Sequence, residues 1–217
     1  MTLYQLVALA YPLAIGILLV LAIGLAVRMM ALQSQLAQAQ LEIAGANNRL
    51  AQAKAQAALL SNTDPVTGLM VRQVVVERFQ LSLGLARRQE TVFGIVLLQL
   101  PGFDMMIDEL GTEVGDRLLA AVAQRLRGAT RETDTVGRVR EYEFAALLPV
   151  LGGAEDIGPV ASKLRAAMEP PFTLQGVPGT FSIKTFVGTA TYPKDGEDWT
   201  TVLKAADESL SRSRILR

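Results

Sequence analysis

Neither cysteine nor histidine occurs among the 217 residues. Thiol nucleophiles, disulfides, zinc sites and imidazole acid–base catalysis therefore drop out together. Any reaction would have to run on carboxylates, Lys, Arg or a hard cation such as Mg²⁺. One group of suitable residues stands in the hairpin-like stretch Arg140-Glu141-Tyr142-Glu143-Phe144. Glu141 and Glu143 can be read as a metal-binding pair. Solvated hairpin charges are the simpler reading. Arg140 could instead grip a phosphate without a metal. Lys+Arg and Asp+Glu balance at 21 each, so no overall charge recruits nucleic acid.

The elements that must position these residues alternate along positions 62–217. Helical periodicity covers about 71–89, and Thr91–Leu100 is an apolar, strand-like run. A helical pattern returns over 102–128, with Leu118, Leu119, Val122 and Leu126 on one face. Two strands joined by a tight turn are expected near Thr135–Val139 and Tyr142–Leu148. A helix near 155–169, strands near 172–175 and 180–191, and a helix over 199–214 complete the order. Such an order predicts an α/β domain (α+β-like), a mixed central β-sheet covered by helices.

Ahead of this domain the chain reads differently. Met1 to Val27 carries no charged residue, long enough to span a hydrocarbon core of about 30 Å. The run lacks the basic start and short apolar core of a cleaved signal peptide, so residues 1–28 are expected to be a transmembrane helix. Arg28, directly after the run, places the rest in the cytoplasm by the positive-inside rule. Residues 29–61 then carry a seven-residue repeat. Met29, Leu36, Ile43, Leu50 and Ala57 share one position, and Leu32, Ala39, Ala46, Ala53 and Leu60 fall three residues later. That is the seam of a coiled-coil stalk, expected to pair in parallel as a homodimer rather than dock on its own domain. Ser61-Asn62-Thr63-Asp64-Pro65 stops the helix.

Several segments resemble the diguanylate cyclase (GGDEF) domain family, collinearly across the whole domain. Asp64-Pro65-Val66-Thr67-Gly68-Leu69 resembles the motif where a stalk helix meets such a domain. Gly111 and Gly115-Asp116-Arg117-Leu118-Leu119 resemble its G-H-x-x-G-D-x-L-L stretch. Asp134 to Arg138 and Glu143-Phe144-Ala145 match the spacing of its D-x-x-x-R-x-G-G-D-E-F hairpin. Gly188, Tyr192-Pro193, Asp195-Gly196 and Ala206-Asp207 match its closing pattern.

The resemblance implies a nucleotide-cyclase-like fold and, in intact members, Mg²⁺-dependent synthesis of cyclic di-GMP from two GTP. At the positions matched here the required groups are replaced. The metal-binding Asp of the first core strand corresponds to Gln99, the next Asp to Pro101, and the metal and catalytic carboxylate of the signature to Tyr142. Gln brings no negative charge and Tyr is neutral near pH 7. Arg140 and Glu141 stand where two glycines admit phosphate, Asp104 where a Lys contacts it, and Ile107 where an Asn reads guanine. Asp116, the partner carboxylate, is retained, and Arg214 stands for a late Lys. A degenerate, non-catalytic domain without catalytic residues, metal or cofactor is the expectation.

One feature that the resemblance implies is intact: an inhibitory R-x-x-D site for cyclic di-GMP, here Arg131 and Asp134, five residues before the signature. Arg can fork two hydrogen bonds onto a guanine edge or a phosphate, and Asp accepts from guanine N–H groups. A further basic residue of that site falls at Ser162, with Lys163 and Arg165 as stand-ins. The expected function is a membrane-tethered cyclic di-GMP receptor at the bacterial inner membrane, signalling by protein contact. A scaffold with no nucleotide ligand is the alternative.

Overall fold

The computed structural model describes residues 28–30, 33, 35–36, 38, 40–49 and 61–215. The chain divides into two units between Ala57 and Ala58. In the first, the described residues are helical, and the seam positions Met29, Leu36 and Ile43 are exposed on the single chain, as are Met30 and Leu41 off the seam. The expected transmembrane run and the second half of the stalk, residues 50–60, lie outside the described residues. Among the described residues no helix is long and apolar enough to cross a membrane.

The second unit follows the order β1 (Met70–Val71), α1 (Arg72–Gln89), β2 (Val92–Gln99), α2 (Phe103–Leu110), α3 (Thr112–Ala129), β3 (Thr135–Arg140), β4 (Glu143–Leu151), α4 (Ile157–Met168), β5 (Phe172–Leu174), β6 (Val177–Phe181), β7 (Phe186–Tyr192) and α5 (Trp199–Ile215). Five strands form one mixed sheet in the order β1-β3-β4-β2-β7. Only the β1–β3 pair is parallel. The β5–β6 hairpin stands apart.

Two apolar layers explain why β2 is continuously hydrophobic. Its Val96 and Leu98 join Leu118, Leu119, Val122 and Leu126 of α3 and Leu164 of α4 on one face. Its Phe93, Ile95 and Leu97 join Val75 and Phe79 of α1 and Val202, Ala206 and Leu210 of α5 on the other. A strand buried on both faces has no polar alternation to show.

Two expectations about the elements change. The pattern over 102–128 is two helices, because Gly111 takes φ +85°, outside the helical region, and turns the chain. The strand foreseen over 180–191 is two strands, β6 and β7, separated by Ser182–Thr185. No glycine or proline lies in that gap to signal it. Gly188 sits where α5 crosses β7; a Cβ there would collide with the Ala206 carbonyl oxygen.

Candidate functional site

The end of β2 and the β3–β4 hairpin meet in register. Gln99 lies opposite Glu143 on one side and Phe186 on the other. The hairpin is pinned to β2 where the Leu100 N–H donates to the Tyr142 carbonyl at 3.0 Å. The Tyr142 ring leans on Phe103, with centroids 5.4 Å apart, and its hydroxyl donates to Glu141 at 3.1 Å.

Arg140 dominates the electrostatics. Its guanidinium donates to Glu143 and also to both Asp207 oxygens, at 3.3 Å each. From the last turn of α5, Arg214 donates to Oε1 of Gln99. Bonding to Asp207 and then Glu143 holds Arg140 more firmly protonated than an ordinary arginine. Burial pushes the Glu143 carboxyl up, and Arg140 opposes that push without cancelling it.

Solvated charge therefore describes Glu141, which is exposed, but not Glu143, which is 5% exposed. The physical reason is position: Glu141 lies in the turn, whereas Glu143 opens β4, which is paired on both sides. The register slips between Arg138 and Arg140, so Arg140 rather than Val139 lies opposite Glu143. A bulge re-aims a side chain in this way. Both carboxylates near Arg140 are thus occupied by a guanidinium of the chain itself, which corrects the reading of Arg140 as a free phosphate grip.

Mg²⁺ requires close octahedral oxygen ligation, normally including one or two carboxylates. Among the described residues no group of three or more acidic side chains converges, so the fit of a metal rests on the few carboxylates at this site. Glu143 and Asp207 already bind Arg140, and the Gln99 oxygen accepts from Arg214. This donor set does not fit the family's metal. At the neighbouring position Ile107 packs against Gly115, so an apolar side chain occupies what the resemblance marks as the guanine-reading place.

Arg131 and Asp134 come together in the turn between α3 and β3. The Arg131 N–H donates to Oδ2 of Asp134 at 2.8 Å, and the Asp134 N–H donates to the Arg131 carbonyl at 3.1 Å. Asp134 thus fastens the backbone of the turn, while the exposed Arg131 guanidinium stays clear of it. Beside the turn lies a cavity of about 730 Å³, lined also by Arg78 of α1 and Arg127 of α3. Sequence reasoning missed both arginines. Arg127, one helical turn before Arg131, was within reach of a spacing argument; Arg78, on another helix, was not. The expected stand-ins do not come to this place. Arg165, with Ser162, lines a different cavity against β7 and α5, and Lys163 lines neither.

The family model for the diguanylate cyclase GGDEF domain matches residues 61–215. This chain belongs to the GGDEF family. The chain is 31% identical over 167 residues to the cyclic di-GMP phosphodiesterase NbdA of Pseudomonas aeruginosa, covering 77% of this chain and 21% of that protein. The solved GGDEF domain of TpbB from the same organism superposes with a TM-score of 0.67 at 28% identity, over 71% of this chain and 90% of that one. Diguanylate cyclase SiaD of P. aeruginosa, solved with its activator SiaC, gives 0.66 at 25% identity, over 99% of this chain and 83% of SiaD. Against NbdA the chain spans about a fifth of the relative's length. The mixed α/β sheet with flanking helices is the fold these GGDEF domains share.

Proposed function

We propose that this GGDEF domain is non-catalytic and serves as a membrane-tethered receptor for cyclic di-GMP, reporting occupancy to a partner protein by contact. The observation that carries the receptor role is the cavity beside the Arg131–Asp134 turn. Arg78, Arg127 and Arg131 border one space of about 730 Å³, which Glu132 and Asp134 also line, and the Arg127 guanidinium donates to the Gly68 carbonyl. Arginine is the side chain suited to forked bonds with phosphate oxygens and to stacking on bases. A cyclic dinucleotide offers two phosphates and two guanine edges to such a site.

Loss of catalysis is supported by the other end of β3. Phosphoryl transfer needs metal and cationic groups free to neutralise phosphate charge. Here Arg140 is spent on Glu143 and Asp207, and Arg214 on Gln99. The membrane tether and the parallel stalk rest on the uncharged run Met1–Val27, on Arg28 and on the heptad seam. Contact with a partner protein has a parallel in SiaD, which was solved in complex with its activator.

Calorimetry of the full chain in detergent with cyclic di-GMP tests this reading. Binding at micromolar affinity or tighter, about −8 kcal/mol, is the expected outcome. Incubation with GTP and Mg²⁺ or Mn²⁺ should yield no cyclic di-GMP by chromatography. Clear product would sink the non-catalytic reading. The absence of heat with excess ligand would replace the receptor with a scaffold.

A further inference from the structure

The far edge of the sheet holds a second set of cations. β7 pairs with β2 on one side only. Beside it, α4 and α5 bound a cavity of about 390 Å³. Along the unpaired edge two N–H groups are satisfied by side chains. Thr189 donates to Oγ of Ser209 at 3.1 Å and Thr191 to Asp195 at 2.8 Å. Strand alternation sends the N–H of Val187 out along the same edge, and Val187 forms part of the cavity wall. That N–H has no hydrogen-bond partner among the described residues.

Arg165 of α4 and Arg212 of α5 line this cavity from two helices, and neither is ion-paired among the described residues. Ser162, Thr189, Ser209 and Ser213 add hydroxyls, and no acidic side chain lines the space. Two guanidiniums, a free backbone donor and hydroxyls around a cavity without carboxylates match a tetrahedral oxyanion, which accepts from several directions at once. We propose that the cavity between α4, β7 and α5 binds a phosphate monoester. The site is independent of the Arg131 cavity, which lies by β3 towards the opposite edge of the sheet.

The test is calorimetry of the full chain in phosphate-free buffer, with O-phosphoserine and a phosphoserine tripeptide as probes and serine as the control. Phosphoserine should bind at about 1 mM or tighter, and serine should give no heat. Arg212→Gln, at an exposed position where folding is not at stake, should weaken binding by about tenfold or more. Arg131→Gln should leave it unchanged, which separates this site from the cyclic di-GMP reading. A tripeptide that binds markedly tighter than phosphoserine identifies a phosphorylated segment as the ligand, and equal affinities identify a small phosphate ester. No heat with either probe, or heat unaltered in the Arg165→Gln/Arg212→Gln double variant, overturns the proposal.

Discussion

At Arg140 one guanidinium neutralises a buried carboxylate and ties the hairpin to α5 through Asp207. Arg140→Ala would leave Glu143 buried and unpaired, at a cost of about 1–3 kcal/mol. Half-exposed Arg140 keeps the figure below that of a fully buried pair. The pH dependence has a definite sign. Burial already raises the Glu143 carboxyl, and removing Arg140 raises it further. The variant thus gains stability relative to wild type as pH falls from 7 towards 5, because protonated Glu143 needs no cation. Thermal melts at the two values check this; a deficit that widened in acid would refute it. In the Arg131 cavity, Arg131→Ala should weaken cyclic di-GMP binding by about 2–5 kcal/mol for a desolvated contact. Arg131→Lys should also impair it, since a point charge cannot form a planar fork. Burial of Glu143 was not legible in the sequence. The sequence does not show that Glu141 stays in the turn while Glu143 begins a strand flanked by β2 and β3.

Among the elements, the turn that opens the domain is legible and checkable. Asp64 accepts from the N–H and the hydroxyl of Thr67, at 2.8 and 2.7 Å, and from Arg138 at 3.2 Å. Burial would push its carboxyl up, but Thr67 and then Arg138 outweigh it and hold the group below its ordinary value. A lowered carboxyl stabilises the fold above the ordinary carboxylate range and loses that contribution as pH falls through its folded value. Asp64→Ala should cost about 1–3 kcal/mol near neutrality, and the difference should fade in acid denaturation below about pH 4. A pH-independent difference would point to packing instead. The apolar run of β2 and the periodicities of α1, α3 and α5 were readable because each reports its own burial. The gap at Ser182–Thr185 was not, since no glycine or proline marks it. The pairing of Gln99 with Arg214 is likewise a product of tertiary folding across 115 positions.

For the whole molecule, the stalk gives the sharpest forecast. Met29, Leu36 and Ile43 are exposed on the single chain and share a heptad position. The chain has no cysteine, so Ala46→Cys should cross-link to its twin under mild oxidation, whereas Asn48→Cys should not. Equal cross-linking at both positions would argue against a parallel seam. Collinear motifs revealed the family from the sequence; the arginines that converge from separate helices needed the fold. One further connection runs through Arg138. It grips Asp64 in the opening turn and donates through Nε and Nη2 to the Glu141 carbonyl, at 2.9 and 2.6 Å, at the hairpin tip. A guanidinium is a rigid plane, so these two loops are joined by a strut rather than a tether. Twisting the chain where it enters at Asp64 would pull on the Glu141–Tyr142 tip through this one residue of β3.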